Sequence, residues 1–204
     1  MEHRVESDSP DRIEPEQTGT VTNVRDEAGS AAARQRLPIK PSPAMAIFWA
    51  TLAACLLHLV WYYPRLPETV AAHYDALGQP DGWTSKGTYA AVLAVMYVLV
   101  AGLFLAVWTT MRRFPAHLIS VPNREYWMMP NREAYTRTAL ARNMLWLGWA
   151  ALMLLLVITD LTFRANLRED ASLGLTPWIV IGVYVAFCAG LVVRLIYRFY
   201  TRRV

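Results

Sequence analysis

The sequence predicts an all-α membrane protein with four transmembrane helices, an ordered extracytoplasmic loop and a disordered N-terminal tail. Of its 204 residues, 55% are hydrophobic and 18% are charged, whereas soluble domains average about 45–50% apolar and about 25% charged residues. The polar residues are concentrated at one end, because residues 1–43 hold eight of the 16 acidic residues. Such segregation argues against a single soluble globule.

The first segment, residues 1–43, is expected to be a disordered cytoplasmic tail. It contains eight acidic and six basic residues and no periodic apolar positions, so it buries too little apolar surface to fold alone. It ends in Pro-Ile-Lys-Pro-Ser-Pro, which favours a stiff, extended spacer. The alternative is a docking segment for a partner protein.

Four apolar runs are long enough to cross a bilayer, which takes roughly 20 residues. The predicted spans are residues 44–63, 88–110, 144–163 and 175–197. They are joined by residues 64–87, 111–143 and 164–174, and a short cytoplasmic tail, 198–204, follows the last span. Since 43 polar residues precede the first span, we expect that span to be a retained anchor, not a signal peptide.

The basic residues predict the orientation of the spans. Six Lys or Arg residues fall in residues 111–143, but only two fall in 64–87 and two in 164–174. Cytoplasmic loops carry the excess of basic residues, so both termini are predicted to be cytoplasmic. Because these residues flank apolar runs, the predicted partner is the lipid bilayer and not nucleic acid.

Small residues recur along two spans at the spacing of a helix face. The two stripes are Ala90, Ala94, Gly102 and Ala106 in the second span, and Gly182, Ala186 and Gly190 in the fourth. Small residues let helix backbones approach closely in lipid. The stripes therefore predict helix packing, either within the chain or in a homo- or hetero-oligomer.

Two polar residues lie inside predicted spans at similar depth. His58 and Asp160 are five and three residues from the outer ends of their spans, or roughly 7 and 5 Å below that interface. A polar residue inside a span suggests a function. One hypothesis pairs the two beneath the outer loop, continuing to His73; the other pairs Asp160 with Arg164, four residues on, and leaves His58 on a backbone carbonyl.

The outer loop, residues 64–87, is rich in side chains that bind ligands. Its candidate residues are Pro67, His73, Tyr74, Asp75, Gly78, Pro80, Asp81, Trp83, Ser85 and Lys86. Pro80-Asp81-Gly82 is a strong turn signal. The loop could bind an extracytoplasmic peptide or envelope ligand, cap its own turn amides through Asp75 and Asp81, or hold a metal ion with His73 and both carboxylates.

The spacing of these residues resembles a known family. The string Leu66-Pro67-x-x-Val70-x-x-His73-Tyr74-Asp75-x-x-Gly78-x-Pro80-Asp81-Gly82-Trp83-x-Ser85-Lys86 is similar to that of the domain of unknown function 1648 family of bacterial multi-pass membrane proteins. This chain has Ala71 where the family has Pro, and Asp75 where Asn is frequent. The resemblance implies a bacterial plasma membrane location and relatives that act in toxin immunity.

The inner loop, residues 111–143, carries a second segment similar to that family. The matching residues are Pro122, Asn123, Tyr126, Trp127 and Pro130. Asn131, standing where the family has Glu, is expected to cap a helix over residues 132–143. We expect an interfacial segment in the headgroup region, with a regulatory partner site as the alternative.

Neither cysteine nor any catalytic motif points to an enzyme. Cys55 and Cys188 lie in apolar runs, and no phosphate-binding loop, dinucleotide fingerprint, HExxH or CxxC motif is found. We expect a non-enzymatic sensing, ligand-binding or toxin-immunity-type accessory without a metal or cofactor. The alternative is a metal-dependent membrane enzyme or transporter subunit using His73, Asp75, Asp81 and His58.

Overall fold

The computed structural model describes residues 42–168 and 170–201. The elements are α1 (Pro43–Tyr62), a 3-10 turn (Tyr63–Arg65), β1 (Thr69–Tyr74), β2 (Pro80–Ser85), α2 (Lys86–Arg113), a 3-10 turn (Ala116–Leu118), α3 (Arg124–Trp127), α4 (Glu133–Asn166) and α5 (Thr176–Thr201). Helices α1, α2, α4 and α5 are long and apolar enough to cross a membrane. The four predicted spans are confirmed, whereas the predicted tail, up to residue 41, lies outside the described residues.

The first span begins and ends where its polar neighbours predict. The Ser42 side chain caps α1 by accepting a hydrogen bond from the Met45 amide, at 3.3 Å, and Pro43 occupies the first helical position, where proline is tolerated. Pro64 then falls in the 3-10 turn that ends the helix, as its missing N–H requires.

Helix α4 joins the predicted inner helix and the third span into one helix of 34 residues. The prediction that Asn131 caps this helix is wrong, because the cap position is Arg132 and no described side chain caps it. Instead, the Met129 carbonyl accepts hydrogen bonds from the amides of Arg132 and Glu133, at 2.8 and 2.9 Å. The preceding turn therefore supplies the acceptor that a capping side chain would provide.

Three of the spans, α1, α2 and α4, share one apolar core. Its largest fully buried members include Phe48 of α1, Tyr97 of α2 and Phe163 of α4. The Tyr97 hydroxyl donates to the Thr159 hydroxyl at 3.0 Å, which satisfies the polar atom as burial demands. The helices pack tightly at Gly148, where an added Cβ would lie within 2.8 Å of the side chains of Phe48 and Phe104.

The small-residue stripes contribute unequally to packing within the chain. Ala90 and Ala94 pack against the core. An added Cβ at Gly102, Gly182 or Gly190, however, would meet no described atom within 4 Å. The stripe on α5 thus makes no close helix contact among the described residues, and packing against another copy stays a prediction.

The outer loop folds into an antiparallel β-hairpin, β1–β2, inside an otherwise helical protein. The order of this loop was predicted but its strands were not. The hairpin lies at the end of the bundle where α1 ends, α2 begins and the α4–α5 connection crosses. We call this the hairpin end of the bundle.

Candidate functional site

The hairpin turn is made by Asp75 to Gly78, not by the predicted Pro80-Asp81-Gly82, which lies in β2. The Asp75 carboxylate accepts hydrogen bonds from the amides of Leu77 and Gln79, both at 2.8 Å. Gly78 has φ +78°, the left-handed conformation that ends a three-residue hairpin loop. Because the turn is completed here, Pro80 to Gly82 are left to pair as strand.

His73 and Asp81 form an exposed pair at irregularities in the strand register. The register shifts on both sides of His73, and its Nδ1 lies 2.5 Å from Oδ1 of Asp81. Their side chains are 76% and 45% exposed. Gly82 faces His73 across the ladder, and a Cβ there would lie 2.8 Å from His73 Cβ. Asp81 therefore bonds the His73 side chain. Of the two aspartates expected to cap turn amides, only Asp75 does so.

One asparagine fastens the hairpin to the helix bundle. The Ala71 amide donates to Oδ1 of Asn166 at 2.6 Å, and Nδ2 of Asn166 donates to the Ala71 carbonyl at 3.0 Å. Nδ2 also donates to the Tyr74 hydroxyl at 3.3 Å and to the Thr162 carbonyl at 3.0 Å. The carboxamide at the end of α4 thus occupies the position that a third strand would take beside β1.

The α4–α5 connection secures the hairpin tip. The Leu173 amide donates to the Gly78 carbonyl at 2.9 Å, and Gln79 Nε2 donates to the Ser172 hydroxyl at 3.2 Å. At the start of α5, Nε1 of Trp178 donates to the Ala76 carbonyl at 2.9 Å. The hairpin is therefore held by main-chain and side-chain bonds along β1 and at its tip.

The other edge of the hairpin, along β2, is open. The Lys86 amide donates to the Glu68 carbonyl at 2.9 Å, so these two residues form a hydrogen-bonded pair of the ladder. Bonded and non-bonded pairs alternate along antiparallel strands. The pair Ala71–Trp83 is therefore non-bonded, and its N–H and C=O groups point outward from the hairpin. Asn166 bonds the outward N–H and C=O of Ala71. Among the described residues, no hydrogen bond is made to the outward N–H or C=O of Trp83, whose side chain is also exposed, at 56%.

The remaining residues of the outer motif support the hairpin and the start of α2. Ser85 caps α2, accepting from the Thr88 amide at 3.1 Å, and Lys86 pairs with Glu68 at 2.7 Å. Burial raises the pKa of Tyr74 to about 12, so its hydroxyl stays neutral beside Asn166. Pro67 is exposed between the 3-10 turn and β1.

The two polar residues within the spans meet, as one of the sequence hypotheses predicts. His58 Nε2 lies 3.1 Å from Oδ1 of Asp160, and the Tyr62 hydroxyl donates to the same oxygen at 3.2 Å. Arg164 also pairs with Asp160, its Nε lying 2.8 Å from Oδ2. The alternative backbone bond of His58 is not seen: Nδ1 has no described partner. The pair does not continue to His73, which bonds Asp81.

The inner motif closes the carboxyl end of α5. Asn123, in the left-handed conformation with φ 54°, donates from Nδ2 to the carbonyls of Phe199 and Tyr200 at 3.1 and 3.2 Å. Nε1 of the buried Trp127 donates to the Phe199 carbonyl at 2.9 Å. Terminal helix carbonyls lack intrahelical partners, so this motif serves as a cap supplied from a distant segment. Tyr126 lies against Arg132, 3.7 Å from ring centre to guanidinium carbon.

Pro122 and Pro130 lie just outside this cap. Pro122 is partly buried and Pro130 is exposed, and they bracket the short helix α3 between the inner 3-10 turn and α4. The contacts of Asn123 and Trp127 thus place the second family-like segment against the end of the fourth span.

The described part of the chain does not bring together the ligands that a metal site requires. There, no group of three His, Cys, Asp or Glu side chains is placed to hold a metal ion. His73 and Asp81 form one pair and His58 and Asp160 another, while one oxygen of Asp75 accepts the turn amides.

Sequence reasoning missed Asn166, the residue that fixes the hairpin. Its partners Ala71 and Tyr74 are more than 90 positions away, so no local pattern reveals them. The one available signal was an amide side chain in the last turn of an apolar span, where a polar residue needs a partner.

Residues 50–99 match the sequence model of the family described as Domain of unknown function (DUF1648). The match covers most of α1, the hairpin and the first half of α2, and it confirms the predicted resemblance there. The inner motif lies outside the matched residues. No curated protein and no solved structure matches the chain.

Proposed function

We propose that this chain, with its DUF1648 segment, is a non-enzymatic membrane protein that binds an extended peptide along the open edge of β2. The observation that carries the proposal is the asymmetry between the hairpin's two edges. Asn166 takes the outward main-chain groups of Ala71, whereas those of Trp83 meet no described partner. An extended peptide can add to such an edge as a further strand.

The exposed indole of Trp83 adds contact area beside these main-chain groups. Tryptophan is enriched among the residues that dominate binding energy at interfaces. The fixed hairpin also limits the ordering entropy that binding would cost, because β1 is bonded at Ala71 and the tip is bonded to the α4–α5 connection. An open edge strand is a liability that proteins usually blunt or cover, so retention of one here fits a use in binding.

The charge of the hairpin favours a basic peptide. Residues 66–85 contain Glu68, Asp75 and Asp81 and no Lys or Arg. Lys86 pairs with Glu68 at 2.7 Å. Among the described residues, no Lys or Arg forms an ion pair with Asp75, which accepts turn amides, or with Asp81, which lies beside His73. A cationic peptide near the membrane would therefore meet a complementary surface.

We also propose that the hairpin end lies outside the cell, in a bacterial plasma membrane, with both termini cytoplasmic. The distribution of Lys and Arg supports this orientation. Phosphatase fusions at Asp75 and at Arg124 test it: activity is expected at Asp75 only. Activity at Arg124 and not at Asp75 would reverse the orientation.

The binding proposal is tested by photo-cross-linking in living cells with p-benzoylphenylalanine at position 83, followed by mass-spectrometric sequencing and synthesis of the captured peptide. Its affinity is then measured for the wild type, Trp83→Ala and Trp83→Pro, each in lipid nanodiscs. Both variants lack the indole, but only proline lacks the outward N–H.

We expect Trp83→Pro to bind the synthetic peptide about twofold to tenfold more weakly than Trp83→Ala, as the loss of one main-chain hydrogen bond implies. Since this N–H points away from β1, proline should leave the hairpin paired. Equal affinities of the two variants, or failure to capture a peptide at position 83, would refute binding along this edge.

A further inference from the structure

A polar cavity lies at the opposite end of the bundle, between the end of α2 and the start of α4. Its volume is about 460 Å³. The lining residues are Arg112, Pro130, Glu133, Ala134, Arg137 and Thr138. It is separate from the hairpin and from the His58–Asp160 pair, and it shares only Pro130 with the inner motif.

The cavity contains a guanidinium group with an unsatisfied donor. Arg137 pairs with Glu133 through Nη2, but its Nε is buried and has no partner among the described residues. A buried donor without an acceptor is costly, and such groups in native structures usually have a partner or mark an absent ion or water. The pair with Glu133 thus leaves part of the hydrogen-bonding capacity of the Arg137 guanidinium unused.

Arg112 supplies the second positive charge. Its guanidinium lies over the Trp108 ring, 4.9 Å from the ring centre, and none of the ion pairs of the described residues includes it. With Glu133 as the single acid, the lining carries a net charge of +1. The cavity thus offers two guanidinium groups, the side chains best suited to bidentate phosphate binding.

The position of the cavity indicates where its ligand comes from. It lies where α2, an apolar span, ends in Arg112 and Arg113, and a Trp and Arg at the end of a span mark the headgroup level of the bilayer. Basic pockets between transmembrane helices bind the headgroups of anionic lipids. A lipid phosphate can reach this site from within the membrane plane.

We propose that the cavity between α2 and α4 binds the phosphate of an anionic phospholipid headgroup through Arg112 and Arg137. In this arrangement, phosphate oxygens accept hydrogen bonds from the guanidinium groups of Arg137 and Arg112. Glu133 holds the other side of the Arg137 guanidinium and so orients it. Thr138, whose hydroxyl donates to the Ala134 carbonyl at 2.8 Å, lines the same wall.

The test is native mass spectrometry of the full-length, delipidated protein titrated with phosphatidylglycerol or with phosphatidylcholine. The variants are Arg112→Gln, Arg137→Gln and, as a control, Arg142→Gln, which removes an exposed charge further along α4. Because Arg137→Gln also breaks the pair with Glu133, thermal unfolding identifies any variant that fails to fold. Arg112 is exposed, so Arg112→Gln is expected to fold and tests the site even if Arg137→Gln does not fold.

We expect phosphatidylglycerol to bind at least about tenfold more weakly to Arg112→Gln and to folded Arg137→Gln, as the loss of charged hydrogen bonds implies, with a change below twofold in Arg142→Gln. An equal loss in Arg142→Gln would show a general charge effect and refute the site. Equal binding of the two lipids would refute its preference for anionic headgroups. If millimolar inorganic phosphate displaced the lipid completely, the site would be one for free phosphate, and the lipid assignment would be wrong.

Discussion

The carboxamide of Asn166 and the peptide group of Ala71 form a reciprocal pair of hydrogen bonds, at 2.6 and 3.0 Å. An outward main-chain pair on a strand is normally matched by another strand. Here a side chain at the end of a membrane-spanning helix supplies the match. The hairpin is thereby tied to α4 at Ala71 on β1, while the matching outward groups of Trp83 on β2 meet no described partner.

Replacement of Asn166 should loosen the hairpin selectively. Asn166→Ala removes four hydrogen bonds and leaves the buried Ala71 amide unsatisfied, so we expect a loss of about 2–4 kcal/mol in the free energy of unfolding. Unfolding in detergent micelles measures the loss, and limited proteolysis locates it. The control is Asn143→Ala in the same helix; if it destabilised the protein equally, the assignment to the hairpin contacts would fail.

Two glycines that both have positive φ should respond differently to a methyl group. Gly78→Ala would place Cβ 2.2 Å from the Gly174 carbonyl oxygen, whereas Gly174→Ala would meet no described atom within 4 Å. Both changes bring left-handed strain of about 1–2 kcal/mol. The clash should therefore lower the free energy of unfolding of Gly78→Ala by about 1–3 kcal/mol more than that of Gly174→Ala. Thermal unfolding of the two variants measures the difference. Equal costs would mean that the hairpin tip does not contact the α4–α5 connection.

The helix crossing at Gly148 gives a second matched pair. Gly148→Ala would drive Cβ into Phe48 and Phe104 at 2.7 to 2.8 Å, at a cost of about 1–3 kcal/mol. Gly102→Ala, with open space around it, should be neutral or stabilise by up to about 1 kcal/mol through helix propensity. Chemical denaturation in micelles compares the two, and the reverse order would place the crossing elsewhere.

The pair within the spans should show energetic coupling. A double-mutant cycle of His58→Ala and Asp160→Ala is expected to give an interaction free energy of about 0.5–3 kcal/mol, as for side chains in contact. A parallel cycle of His73→Ala and Asp160→Ala should be additive within about 0.5 kcal/mol, because His73 bonds Asp81. Strict additivity in the first cycle would exclude a His58–Asp160 interaction.

The helices could be predicted because an apolar run of 20 residues has few other folds available. Some ends lie beyond the predicted spans: α2 runs from Lys86 to Arg113 instead of 88–110, and α4 continues to Asn166, past the predicted end at residue 163. The hypothesis that pairs His58 with Asp160, one of the two that the sequence left open, rested on matched depth alone. That argument works only because the bilayer gives every span a common axis.

The hairpin could not be predicted because its sequence lacks strand alternation. Ala71 and Ala72 carry no pattern, and Pro80 and Gly82 are residues that usually favour turns. The strands form because the Asp75–Gly78 turn and Asn166 bring the backbone groups together. Gly148 was missed for a similar reason: it stands outside any repeat of small residues, and only the positions of Phe48 and Phe104 reveal its role.

The central claim, that the outward main-chain groups are bonded at Ala71 and open at Trp83, is tested most directly by amide hydrogen exchange of the peptide-free protein in nanodiscs. The Ala71 amide, bonded to Asn166, should exchange at least about tenfold more slowly than the Trp83 amide, because exchange of a bonded amide requires local opening. In Asn166→Ala the two rates should converge. Protection of Trp83 equal to that of Ala71 in the wild type would mean that the β2 edge is already covered, and would contradict the account.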